Sequence, residues 1–185
     1  MAEQTELQQA LLATGRSCGA CTLCCKILAV PEIGKPADRW CQHVAQGKGC
    51  AIYAERPRQC RSFDCLWLLE PALGPEWKPD KSKFVFSHYD GERLVAVCDP
   101  AAPNAWRGPA YYPQFKRWAQ EAAAGEKQVI VHCGRKTTVV LPGSDVELFD
   151  VAQGDEIITH KIHGPQGFTL KVEHRRGGQS VPRSD

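Results

Sequence analysis

Eight of the ten cysteines fall in one stretch of the chain, at Cys18, Cys21, Cys24, Cys25, Cys41, Cys50, Cys60 and Cys65. Thiolate sulfur is a soft ligand for zinc and for iron–sulfur clusters, so residue type and density together point to metal. A Cys-x-x-Cys unit turns two sulfurs toward one point. Cys18/Cys21 is one such unit and Cys21/Cys24 an overlapping second. Cys24 and Cys25 are neighbours, which suits ligands of two separate centres, or one ligand beside a spare thiol. Eight thiolates fit two four-sulfur sites, or one four-cysteine iron–sulfur cluster plus a zinc site.

The charge pattern agrees. Between Arg16 and Asp64 stand eight basic residues (Arg16, Lys26, Lys35, Arg39, Lys48, Arg56, Arg58, Arg61) and four acidic ones (Glu32, Asp38, Glu55, Asp64). Cations near a thiol lower its pKa and favour the ligand form. Arg56, Arg58 and Arg61 surround Cys60 and are the expected charge partners. His43 is a possible imidazole ligand, but eight sulfurs already suffice, so it is read as a hydrogen-bonded bystander. A disulfide framework uses the same residue type in secreted chains. The N-terminal stretch has no apolar core of signal-peptide length and no basic start, and no later run approaches membrane-span length. The expected compartment is therefore cytoplasmic, where thiols stay reduced and clustered cysteines hold metal.

The pattern C-x2-C-x2-C-C, then a C-x-H segment, G-x-C-x-I-Y and R-P-x-x-C-R-x-F-x-C, resembles the YkgJ-type cysteine-cluster family. The residues carrying the likeness are the eight cysteines with His43, Gly49, Ile52, Tyr53, Arg56, Pro57, Arg61 and Phe63. They span about the first third of the chain. The resemblance implies chelation of zinc or iron through those eight sulfurs and leaves the metal open. Flagellin lysine-N-methylases share the cysteine pattern, so one branch of the family is enzymatic. The opening C-x2-C-x2-C is also partly similar to a bacterial ferredoxin run, but the following C-x3-C-P is missing.

Elements must carry these residues. Thr5 to Thr14 reads as a short helix with a Thr5/Gln8 capping box and Gly15 past its end. Leu23, Ile27, Leu28 and Val30 are the apolar candidates around the cysteines, and Pro31, Gly34 and Pro36 favour a loop. Gly47 and Gly49 shape the approach to Cys50. Glu55 to Leu69 reads as a helix with Pro57 in its first turn. Cys60 and Cys65 would lie roughly 140° apart on it, so they need not share an ion, unless the helix breaks between them. Leu66 to Leu69 is apolar all round, which implies a buried seam with the rest of the chain.

The remainder reads as a hairpin (Lys83 to Ser87 and Arg93 to Cys98, turning at Asp90-Gly91), a helix from Tyr111 to Ala124, and further strands at Gln128–Cys133, Thr137–Leu141, Val146–Val151, Ile157–Ile162 and Phe168–Val172. Cys98 is expected to be a buried apolar residue, and Cys133, His132, His160, His163 and His174 are expected to be structural. The fold class is thus α+β: a cysteine-rich helical and irregular metal module, followed by an antiparallel sheet with one covering helix. The expected organisation is a metal module over 1–70, a Pro-rich connection over 71–80, an α+β region over 81–174 and a flexible tail over 175–185.

The chain is 43% hydrophobic and 24% charged, with a net charge of +2. That balance gives no footprint for nucleic acid or an anionic membrane; a protein partner is possible but unspecified. There is no P-loop, dinucleotide fingerprint, G-x-S-x-G or H-E-x-x-H. The functional expectation is a metal-binding protein holding zinc or an iron–sulfur cluster. The alternative is a metal-dependent or iron–sulfur enzyme, for example a protein-modifying enzyme related to lysine-N-methylases, with its site between the cysteine module and the sheet. Its polar candidates are Asp64, His88, Asp90, Tyr111 and Tyr112. A binding platform on the β region has no motif behind it.

Overall fold

The computed structural model describes residues 14–63, 65–89, 92–125, 127–152, 154–165 and 167–177. The expected helix at Thr5 to Thr14 (but for Thr14), the Asp90-Gly91 turn, Asp64 and the tail beyond 177 lie outside them. The chain is mixed α and β, as expected.

Its centre is a five-stranded sheet of β3 (Phe84–Tyr89), β4 (Arg93–Cys98), β5 (Gln128–Cys133), β6 (Lys136–Val140) and β7 (Val146–Phe149), in that spatial order. The sheet is not antiparallel throughout, as the strand pattern had implied. β4 and β5 run parallel, with Arg93 opposite Gln128 and Val97 opposite His132; the other neighbours are antiparallel. The reason is the long segment between Cys98 and Gln128. It holds a 3-10 turn (Ala105–Arg107) and the helix Tyr112–Ala124, enough chain to return to the start of the sheet and re-enter in the same direction. β5 is the middle strand, and its Val129, Ile130 and Val131 are all buried, so it reads as a continuous apolar run. β4 instead alternates, with Leu94, Ala96 and Cys98 buried.

The helix Tyr112–Ala124 buries Phe115, Ala119 and Ala122 in one apolar core with Phe84, Phe86, Val129, Val131 and Val140 of the sheet. The Pro-rich connection is part of that core. It forms a 3-10 turn (Pro75–Trp77) and a short helix (Pro79–Ser82). Trp77 stands at the centre of an aromatic group, with ring centroids 5.0 Å from Tyr111, 5.5 Å from Trp118, 5.6 Å from Phe86 and 5.9 Å from Phe84. Such edge-on and tilted pairs are favoured by the ring quadrupole.

The cysteine-rich segment lies against the sheet's other face. Its first helix, α1 (Leu23–Ile27), places Leu23 and Ile27 one turn apart, and both pack on Val85 with Leu28, Phe63 and Val97. The expected helix from Glu55 to Leu69 is two pieces: α2 (Arg58–Arg61) and α3 (Leu66–Leu69). The chain leaves helical geometry between them, and Cys65 is extended at φ −69, ψ 111. The apolar run explains the break. Leu66 and Trp67 must reach the main core, and Cys65 enters it with them. The rest of the segment is irregular but for a 3-10 turn (Pro31–Ile33) and the two-residue strands β1 (Val44–Ala45) and β2 (Gly49–Cys50).

The last two strands, β8 (Glu156–Gly164) and β9 (Gly167–Arg175), form a separate antiparallel ribbon. Gln128 Nε2 donates to Ile157 O and Thr159 Oγ1, and Lys161 Nζ donates to Ala123 O, which ties the ribbon to the sheet and helix.

Candidate metal centre

Six short pieces of chain bring the eight cysteines together. Cys18 and Cys21 lie on a turn closed by the Cys21 N–H donating to Cys18 O at 2.9 Å. Cys24 and Cys25 are consecutive on α1, with sulfurs 4.0 Å apart. Cys41 is fastened beneath α1 by its N–H, which donates to Cys25 O at 3.0 Å. Cys50 follows on the small hairpin, paired with Val44. Cys60 lies on α2, and Cys65 precedes α3. Two glycines make the packing of these loops possible. Gly49 has φ +101, and a Cβ there would fall 2.4 Å from Gly19 O, so the hairpin backbone rests directly on the Cys18–Cys21 turn.

The thiols line two adjoining cavities. One, of about 470 Å³, is bordered by Cys18, Cys21, Cys24, Cys25, Cys41, Cys50 and Cys60. The other, of about 170 Å³, is bordered by Cys18, Cys21, Cys24, Cys60 and Cys65. All ten cysteines are free. Among the described residues, no three or more His, Cys, Asp or Glu side chains are drawn closely enough around one point to hold an ion. The sulfurs surround a space without closing on it.

Electrostatics shape their protonation. The proton is kept on Cys24, whose hydrogen bond to Cys25 and burial raise its pKa far above the ordinary thiol value. That hydrogen bond lowers Cys25 to about 7; burial opposes the shift, and Lys35 and Arg56 reinforce it. Burial raises Cys21 and Cys60, and pushes Cys65 up to about 11.

Of the three arginines expected beside Cys60, Arg56 acts on both Cys25 and Cys60. It also lies 3.9 Å from the ring centre of Tyr53, whose hydroxyl points to Cys18 Sγ at 3.9 Å. The more telling cation is Lys35, which the sequence reading counted only as charge. It is 6% exposed, donates to Lys26 O at 3.0 Å, to Pro36 O at 2.9 Å and to Leu28 O, and faces the Cys41 and Cys25 sulfurs. Three carbonyls around a buried ammonium satisfy all its donors. The available signal was Lys35 standing between Gly34 and Pro36, and burial of a lysine is not a property such a tripeptide displays.

Two further pins hold the segment in place. Arg16 donates to Trp67 O (2.6 Å), Glu70 O (2.8 Å), Pro71 O (3.3 Å) and Leu73 O (2.6 Å), fastening the approach to Cys18 onto the seam. Lys26 Nζ contacts both Asp99 carboxylate oxygens at 2.7 Å, joining α1 to the end of β4.

His43 lines the larger cavity, its Nε2 3.3 Å from Gln42 Nε2. Cys98 is fully buried in the main core, and Cys133 packs against that core. The polar candidates for catalysis are not gathered. His88 borders a different cavity with Glu92 and Trp118, the Tyr111 hydroxyl donates to Glu76 O at 3.0 Å, and the Tyr112 hydroxyl donates to Asp145 Oδ2 at 2.9 Å. Asp64 and Asp90 lie outside the described residues.

No helix among the described residues is long and apolar enough to cross a membrane. Comparison of the chain with protein-family models, with curated proteins and with solved structures finds no match. The YkgJ-type likeness therefore rests on the quoted cysteine-region residues alone.

Proposed function

We propose that this chain is a metal-binding protein that chelates zinc or an iron–sulfur cluster through Cys18, Cys21, Cys24, Cys25, Cys41, Cys50, Cys60 and Cys65. The observation behind this reading is the convergence of all eight thiols on two adjoining cavities beside Lys35 and Arg56. Buried thiols repel one another when ionised, and burial alone keeps them protonated. A cation inside the ring of sulfurs reverses that balance, and the two basic side chains offset the excess negative charge that four thiolates leave on a divalent ion. The YkgJ-type resemblance supports the same reading. An enzymatic role has less behind it, because His88, Tyr111 and Tyr112 all border other parts of the molecule.

The test is elemental analysis with an ultraviolet–visible spectrum on protein purified without air. Colourless protein with about two zinc ions per chain supports closed four-sulfur sites. Brown protein with iron and acid-labile sulfide supports a cluster and makes a screen for redox or radical chemistry worthwhile. Chain that takes up neither zinc nor iron with sulfide under reducing conditions rejects the proposal.

A further inference from the structure

We infer that the eight thiols form two abutting four-sulfur centres that part between Cys24 and Cys25, with Cys18, Cys21, Cys24 and Cys65 in one and Cys25, Cys41, Cys50 and Cys60 in the other. The inference rests on the metal-binding reading above and assigns the ligands that reading leaves unsorted.

The division starts with α1. Leu23 and Ile27 are held against Val85, which fixes the rotation of this one-turn helix. Consecutive side chains on a helix point about 100° apart. Cys24 and Cys25 are thereby sent in different directions, although their sulfurs stay within 4.0 Å. The surroundings of each thiol follow the same division. Cys18 and Cys21 act electrostatically on both Cys24 and Cys65, while Cys24 and Cys25 act on each other across the division. Cys25, Cys41 and Cys50 act in the same way on Cys60. Backbone bonds tie the second set in series: the Cys41 N–H donates to Cys25 O, the Val44 N–H donates to Cys41 O at 3.2 Å, and Val44 pairs with Cys50. The cavities agree at their ends, since Cys65 borders only the smaller, and Cys25, Cys41 and Cys50 only the larger. Cys18, Cys21, Cys24 and Cys60 border both, as residues on a shared wall must.

The two centres differ in how firmly they are held. Cys65 enters the main core beside Leu66 and Trp67, so the first centre is anchored to the sheet. Cys41, Cys50 and Cys60 sit on a loop, a two-residue strand and a four-residue helix that buries no residue. Segments with few buried contacts open first. The second centre therefore gives up its metal first.

The experiment uses the full chain, kept reduced and loaded with zinc, with zinc per chain measured after removal of free metal. Cys65→Ser and Cys41→Ser each lose about one of two ions. Cys18→Ser/Cys65→Ser still loses only one, as does Cys41→Ser/Cys60→Ser, whereas Cys60→Ser/Cys65→Ser loses both. If the wild type holds iron and sulfide instead, cluster content per chain is read in the same variants. Loss of both ions in a double variant from within one set overturns the assignment, and so does a single substitution that empties both centres. Variants that fail to fold do not block the test. Wild-type protein loaded with NMR-active cadmium should give two metal resonances, each correlated with the Cβ protons of one set of four cysteines. Correlations that cross the sets sink the partition while leaving metal binding intact. Wild type that binds no metal fails the underlying proposal instead. Stepwise chelation of the wild type supplies the order, with the resonance of the Cys25, Cys41, Cys50 and Cys60 centre disappearing first.

Discussion

The two faces of the sheet are covered by different means. On one, the helix Tyr112–Ala124 and the Trp77 aromatic group bury large side chains, with Phe84, Phe86, Phe115 and Trp106 at most 1% exposed. On the other, residues 14–63 bury only Leu23, Ile27, Val30, Lys35 and Gly49. Ordering a chain costs about 1–2 kcal/mol per residue in backbone entropy. The first region offsets that cost with apolar contact. The second has a smaller apolar contact, Leu23 and Ile27 against Val85, and relies as well on Arg16, Lys26 and Lys35 bonding to carbonyls and to Asp99. If the eight thiols bind metal as proposed, sulfur–metal bonds supply the remaining cohesion, and the regions should respond oppositely to metal removal and to core truncation.

Metal removal carries the largest expected effect. Structural zinc contributes on the order of 10 kcal/mol to small cysteine domains. A strong chelator under reducing conditions should abolish amide protection over residues 14–63 and open that stretch to protease. β3 to β6, and Leu66 and Trp67 with them, should keep theirs because they belong to the apolar core. Uniform protection after complete chelation would erase the contrast.

Trp77→Ala is the converse. Removing the central ring of the aromatic group should cost about 3–5 kcal/mol, read as a shift in denaturant midpoint of the sheet. Metal stoichiometry in the folded variant should stay at the wild-type value. A fall in metal content matching that of a cysteine variant would mean that the faces are not separable.

The unequal legibility of the two regions has the same origin. Periodicity reports apolar burial, so Arg93 to Cys98 is found as a strand to the residue, and the Tyr111 to Ala124 helix to within one. The parallel pairing of β4 with β5 was missed because direction is set by where the long connection returns, which no local pattern records. In the cysteine segment the spacing marks the eight thiols, but their neighbours are decided by the break before Cys65 and by the Gly19–Gly49 contact. The connection at 71–80 shows the same limit. Pro71, Pro75 and Pro79 speak of turns and say nothing of Trp77, which the turns deliver to the core.

Lys35→Met tests the electrostatic part of the second face. The substitution keeps much of the length and apolar stem but removes the charge beside Cys25 and Cys41 and the donor shared by three carbonyls. Outer groups of this kind change metal affinity by about 10- to 100-fold. Competition against a chromophoric chelator should show that loss at the centre holding Cys25 and leave the Cys65 centre nearly unchanged. Lys81→Met, at an exposed position, is the control. Equal weakening at both centres, or at neither, would remove Lys35 from the metal's surroundings.

The smallest effect belongs to the ribbon, which is tied to the sheet and helix by Gln128 and Lys161 and carries none of the eight cysteines. Asp155 is held down to about 2 by the N–H groups of Gly177 and Ala152 and by His174, whose Nε2 lies 2.7 Å from Oδ2. Its folded pKa is below the unfolded value of about 3.9. The contribution to stability is therefore complete above about pH 4 and disappears as pH falls through about 2. Ribbon amides should lose protection in that window in the wild type. In Asp155→Ala they should already be weaker at neutral pH and show only the smaller step left by Glu173, which hydrogen bonds from His160 and Arg175 hold below the ordinary glutamate value. The partners of Asp155, namely Gly177, Ala152 and His174, include none of the eight cysteines, so the ribbon step should survive in metal-free protein. A ribbon whose acid response moved with metal content would tie it to the cysteine face after all.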